Sequence, residues 1–138
     1  MDYEQFKIRE FGFWLLYLHK SQVPYLGRSY AWAKRPEADK VSDMTPDEMR
    51  ELFQKVIPSW ERGVARFHDN FRPNVAILGN TSPHLHAHLI PRFEKPVIYM
   101  GLKFIDPNPK GNYSPYSSVD LSLETLLRVR DDMREGMS

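Results

Sequence analysis

Cysteine is absent from the 138 residues, which excludes disulfides and thiolate metal sites and fits a reducing compartment. Excess charge of one sign is missing too. Nineteen Lys and Arg against eighteen Asp and Glu leave a formal +1, too little to draw the whole molecule toward a nucleic acid polymer or a membrane, so any anion site has to be local. No apolar run approaches the ~20 residues that cross a bilayer; the longest, FGFWLLYL at 11–18, has the length of a strand. The start, MDYEQFKIREFG, alternates charges and lacks the basic and then apolar layout of a signal peptide. Repeats and low-complexity blocks are also missing. These absences predict a cytoplasmic protein with neither a membrane nor a nucleic acid polymer as partner.

What is present suffices for one core. At 41% hydrophobic and 13% aromatic residues, the chain supports a single domain over 1–138 and is too short for two ordinary ones. FGFWLLYL reads as a strand buried on both faces. SYAWAK (29–34) alternates Tyr30 and Trp32 with small residues, so the two segments predict antiparallel strands joined by a turn at Pro24 to Gly27. Trp14, Tyr17 and Trp32 read as core before they read as a stacking platform for a base. Thr45, Pro46 and Glu48 form a capping box with proline in the first turn. Behind it Met49, Leu52, Phe53, Val56, Ile57, Trp60, Val64 and Phe67 recur at three and four, predicting one long helix with a continuous buried stripe. Pro58 removes the amide that would bond Gln54 and predicts a kink. His68, near the helix end, reads as a solvated residue or a partner of the helix dipole. NVAILG (74–79) predicts a strand and NTSP a turn; 97–105 predicts one more strand, weakened by Gly101. Residues 106–118 have no period, and SLETLLRVRDDMRE reads as a short helix capped by Ser122. The fold class is α+β, with the core at about 11–105 and 106–138 an irregular segment plus a C-terminal helix.

The chemistry concentrates in PHLHAHLIPRF (83–93), where His84, His86 and His88 alternate with Leu85, Ala87 and Leu89. On a strand the imidazoles share one face and the apolar residues the other. One such histidine would most often be structural, but three on one face crowd titratable rings together without a packing reason. Two of them could meet a metal ion, but at ~3.3 Å per residue His84 and His88 lie ~13 Å apart, too far for easy convergence on ~2 Å ligand bonds. A phosphate ester suits the row better. It offers an electrophilic phosphorus, non-bridging oxygens and a bridging oxygen in succession, and imidazole at neutral pH serves as nucleophile or, protonated, as donor. Asn80 and Thr81 supply donors just before the strand, and Arg92 a permanent cation just beyond it.

These residues resemble the histidine triad (HIT) hydrolases and transferases, whose motif of histidine and apolar residues in alternation HLHAHLI (84–90) fits at every position; PRF at 91–93 is more similar to the dinucleoside polyphosphate hydrolase branch. LHKSQVPYLGRSYAWAKR, a capped helix, a strand and GNTSPHLHAH follow HIT-like proteins in element order over ~11–105. The resemblance implies an antiparallel sheet with the long helix packed on it and a short C-terminal helix, in a homodimer. It implies that His86 attacks the α-phosphorus to form a nucleotidyl-imidazole, that His88 contacts the scissile phosphate and bridging oxygen, and that His84 with its carbonyl holds the other ring nitrogen of His86. Asn80 and Thr81 would bind phosphate oxygens or the leaving group. No cofactor or resident metal is implied, although a divalent cation would assist through the substrate's phosphates.

Three features depart from the family pattern. Gly27-Arg28 stands where a Gly-His pair is common, His19 or Lys20 where an acid or amide meets the ribose, and the glycine-rich loop before Asn80 is missing. The expected activity is hydrolysis or transfer of a nucleotidyl group, the substrate a nucleoside phosphate derivative such as a dinucleoside polyphosphate. The alternatives are a nucleotide-binding regulatory module with weak turnover and a metal-dependent hydrolase using two of the histidines. Residues 106–118 serve either as a connector or, through Asn112, Tyr113 and Tyr116, as contacts to the leaving group.

Overall fold

The computed structural model describes residues 3–138; Met1 and Asp2, the first residues of the alternately charged start and of the expected domain 1–138, lie outside the described residues. Five strands, β1 (Lys7–Glu10), β2 (Trp14–Leu18), β3 (Ser29–Ala33), β4 (Arg72–Ala76) and β5 (His86–Arg92), form one antiparallel sheet in the order β1-β2-β3-β5-β4. Strands β6 (Val97–Tyr99) and β7 (Leu102–Phe104) make a separate hairpin. The helices are α1 (Pro46–Glu51), α2 (Ile57–Val64), continuous with α1 through a π-helical turn at Leu52–Val56, and α3 (Leu123–Met137).

Register divides the sheet into a packed face and an open one. Trp14, Leu16 and Leu18 stand opposite Ala33, Ala31 and Ser29, and Ala87 and Leu89 of β5 continue the row. The small residues of β3 leave room for a helix on this side. The helix is seated there by two indole bonds, Trp14 Nε1–H to the Glu48 carbonyl and Trp60 Nε1–H to the Gly27 carbonyl, both 2.9 Å. The opposite face presents Leu15, Tyr17, Tyr30, Trp32, His86 and His88.

The capping box forms as the sequence predicts. Thr45 Oγ1 accepts from the Glu48 amide (3.1 Å), and Glu48 returns a carboxylate oxygen to the Thr45 amide (2.8 Å). Arg35 then neutralises the buried Glu48 through two donors. The helix departs from regular α geometry just before Pro58, where the ladder widens and the Ile57 amide reaches back to the Leu52 carbonyl. The wider turn keeps residues four apart in line. Leu52, Val56, Trp60 and Val64 are fully buried, whereas Met49 and Phe53, expected in the stripe, rotate out to 43% and 55% exposure.

Other boundaries shift for local reasons. The strand expected over 11–18 begins at Trp14 because the Gly12 and Phe13 amides bond the Glu51 carboxylate instead of a neighbouring strand. The strand expected over 74–79 occupies 72–76. The single strand expected over 97–105 is a hairpin whose turn places Met100 (φ 51) and Gly101 (φ 76) in the left-handed region. His68 is not solvated: it is 2% exposed, its Nε2 lies 2.8 Å from the Leu26 carbonyl, and burial lowers its pKa. Ser122 caps α3 as expected. The core reaches beyond 11–105, since Phe6 and Ile8 from β1 and its lead-in, and Val129, Met133 and Met137 from α3, join the same buried cluster. Gly63 and Gly136 let α2 and α3 approach closely; a Cβ on Gly63 would meet the Met133 carbonyl at 3.2 Å.

Candidate active site

Strand β5 carries His86 and His88 to the open face, opposite Trp32 and Tyr30 of β3. His84 precedes the strand, in a stretch anchored by Leu85, whose amide bonds the Ala38 carbonyl and whose carbonyl accepts from the Ala33 amide. Its ring lies flat on Trp32, centroids 4.3 Å apart and planes 17° apart, with Nε2 2.7 Å from the Ala33 carbonyl. A carbonyl only accepts, so His84 carries its proton on Nε2. The same logic fixes His86. Its Nδ1 is 2.6 Å from the His84 carbonyl oxygen, so Nδ1 holds the proton and Nε2 keeps a free lone pair. Trp32 also stacks on this ring at 5.5 Å. The third imidazole, His88, stands 4.9 Å from His86, edge to face. Burial first, then His86 and Arg28, pull its pKa down to about 4, and its buried Nδ1 has no partner among the described residues.

The remaining candidates divide into those the fold gathers and those it does not. His19 is gathered, its ring 6.2 Å from that of His88. Burial, then Arg28 and His88, lower its pKa to about 3, so it is neutral. Lys20 instead points over the Phe6 ring. Arg28 is gathered as well, 5% exposed, with its guanidinium over the rings of Tyr113 and Tyr116 and Nη1 donating to the Tyr116 hydroxyl. Tyr113 is tied to the sheet side by the Tyr25 hydroxyl, which donates to its carbonyl (2.6 Å). Asn80 and Thr81 are exposed in the turn before His84, and their side chains make no hydrogen bond among the described residues.

Arg92 requires a correction. Read from sequence as a cation for phosphate oxygens, it is 4% exposed and occupied by protein acceptors: Nε and Nη2 grip the Asp106 carboxylate (2.8 and 3.1 Å), and Nη1 reaches the Gly111 carbonyl (2.8 Å). It fastens the 106–111 loop to the sheet. Asp106 and Tyr25 were missed as organisers of this region because their partners, Arg92 and Tyr113, are distant in sequence and no local pattern announces them. Trp32 lies against His84 and His86 on the open face, so the reading of it as core is corrected too.

No group of three His, Cys, Asp or Glu is gathered for a metal ion among the described residues, and none of the helices there is long and apolar enough to cross a membrane. A cleft of about 1120 Å³ runs between residues 67–74, 92–98 and 109–111 and is lined by none of the three histidines of the motif.

An antiparallel sheet with alternating histidines on its open face, the middle one oriented by the carbonyl of the first, defines a histidine triad site. Residues 33–95 match the model of the HIT domain. The fold of the chain is similar to that of a histidine triad protein from Bradyrhizobium japonicum (17% identity, 96% of this chain and 90% of that one, TM-score 0.72). A histidine triad protein from Marinobacter aquaeolei is comparable (20% identity, 95% and 87%, TM-score 0.70). So is a hypothetical histidine triad nucleotide-binding protein from Sulfolobus tokodaii (20% identity, 96% and 83%, TM-score 0.67). At these identities the likeness is one of fold. No curated protein matches the chain in sequence.

Proposed function

We propose that the chain hydrolyses or transfers nucleotidyl groups of nucleoside phosphate derivatives, with His86 as nucleophile. The observation that carries this is the 2.6 Å contact between His86 Nδ1 and the His84 carbonyl, which turns the Nε2 lone pair outward on the open face. That lone pair attacks the α-phosphorus, the bond from phosphorus to the leaving-group oxygen breaks, and the leaving group takes that electron pair. Water then attacks the same phosphorus, the P–N bond breaks, and mononucleotide departs with His86 restored. His88, neutral in the free site, contacts the scissile phosphate and gains basicity as the anion arrives beside it. His84 holds the tautomer. Arg28, His19 and Tyr113 border the substrate, with Asn80 and Thr81 closing in from the turn. The likeness to the Sulfolobus tokodaii protein, whose description reads nucleotide-binding, supports the ligand class. The sequence PRF after the motif supports the dinucleoside polyphosphate hydrolase branch.

No cofactor is required in this reading; a divalent cation acts through the substrate's phosphates, and a cytoplasmic homodimer is the working form. Replacing His86 by Ala lowers kcat on the order of 10³-fold or more, and acid quench of the wild type yields a nucleotidyl adduct mapped to His86. A His86→Ala protein with near wild-type turnover sinks the mechanism. A second reading, a nucleotide-binding module with weak turnover, is favoured by the exposure of Asn80 and Thr81, which leaves the leaving-group donors ungathered. Nucleotide binding without turnover of any nucleotidyl derivative selects it.

A further inference from the structure

Arg28 is a buried cation without a counter-charge. Its residue is 5% exposed, no carboxylate forms an ion pair with it among the described residues, and its Nε has no hydrogen-bond partner. What surrounds it is neutral: the rings of Tyr113 and Tyr116 at 5.6 and 5.4 Å and the imidazoles of His19 and His88, whose protonation its charge opposes. The Tyr116 hydroxyl accepts from Nη1 but gives its own proton to no acceptor among the described residues. Arg28 Nε–H is therefore a buried donor without a partner, and the Tyr116 O–H beside it has no protein acceptor among the described residues. Holding a guanidinium out of water without an anion is costly, while Arg92 nearby has its carboxylate.

Position along the sheet tells which anion fits. Trp32 pairs with His86 and Tyr30 with His88, so Arg28, just before the start of β3, lies beyond His88 as seen from His86. An anion at Arg28 then sits past the attacked phosphorus rather than on it. On the nucleoside side of that phosphorus the substrate offers a sugar and a base, both uncharged; on the leaving side a polyphosphate offers another phosphate. We propose that Arg28 and Tyr116 form a subsite for a phosphate on the leaving-group side, so that the preferred substrates are nucleoside polyphosphates and dinucleoside polyphosphates rather than esters or amidates with neutral leaving groups. This rests on the reading of His86 as the attacking group.

The test has a binding arm and a kinetic arm. Calorimetric titration of the whole chain with inorganic pyrophosphate should show binding that falls about 10- to 100-fold in Arg28→Gln and by less in Tyr116→Phe. Arg28→Lys, which keeps the charge and loses the planar fork, should recover part of it. In the kinetic arm, Arg28→Gln should lower kcat/KM at least about tenfold more for a dinucleoside triphosphate than for the p-nitrophenyl ester of AMP, whose leaving group carries no phosphate. Unchanged pyrophosphate affinity in Arg28→Gln, or equal losses on the two substrates, overturns the subsite. If nothing turns over, the catalytic reading fails alone, because pyrophosphate binding still decides for or against Arg28.

Discussion

Replacing Asp106 by Ala should destabilise the protein by about 3–5 kcal/mol, the usual result of removing one partner from a buried ion pair. The side chains of Arg92 and Asp106 are 4% and 0% exposed, so the remaining guanidinium has no access to water. The carboxylate also accepts from the Phe93 amide (3.3 Å) and the Asn108 amide (3.0 Å), and both lose their acceptor. Set against a typical total of about 5–15 kcal/mol, the loss is large. At ~3–4 °C per kcal/mol for a chain of this size, the melting temperature should fall by roughly 10–20 °C. Urea unfolding followed by circular dichroism measures it, with the midpoint moving and the slope unchanged. Because the penalty comes from stranding the cation, Arg92→Met combined with Asp106→Leu should cost less than Asp106→Ala alone. An Asp106→Ala midpoint within experimental error of wild type, or a double variant that loses the sum of the two single losses, refutes this account. Arg92 would then be free for the phosphate role first read from the sequence.

Acid should weaken the fold before any carboxylate titrates. His19, His68 and His88 all have lowered pKa values, His88 about 4 and His19 about 3. The unfolded chain takes up protons near the ordinary 6.5 while the folded one refuses them, so stability is full above about pH 6.5 and declines as pH drops toward 4. Equal urea midpoints at pH 7.5 and 5 would contradict this, and His88→Gln should flatten the dependence. Gly27→Ala should cost about 1–3 kcal/mol, since φ is +98° and the new Cβ would stand 3.0 Å from Val64 Cγ2. Gly79→Ala has a similar φ of +93° but no neighbour nearer than 3.9 Å; thermal melts in which the two fall equally would show that the Val64 contact contributes nothing.

Local features were legible in the sequence. The capping box at Thr45 and Glu48 and the alternation of His84, His86 and His88 depend on spacings of two to three residues, and the backbone period turns those spacings into geometry. Misreadings arose where a distant partner decides. Arg92 looked like an anion site because Asp106, fourteen positions on, carries no mark of pairing with it. The contact of Tyr113 and Tyr116 with Arg28 has no local mark either, since its hydrogen bond joins positions 88 apart. Strand β1 escaped notice because KIRE carries a single apolar residue, Ile8, and a bulge breaks its pairing with β2. The widened turn before Pro58 has no signature beyond the proline itself.

The two ends of the chain hold one another. Arg130 Nη1 donates to the Gln5 carbonyl, and Arg134 donates to the carbonyls of Lys7 and Ile8, the first of these bonds joining positions 125 apart. Closing a loop of that length costs on the order of 4 kcal/mol of chain entropy, and less once the hairpins and the central helix have shortened the effective path. On a ribosome, β5 and its histidines emerge well before α3. A nascent chain could therefore pair its histidine strand while the outer strand and α2 still lack their cover. The cover that α3 gives to the outer strand and α2 is therefore added after the histidine strand is already in place.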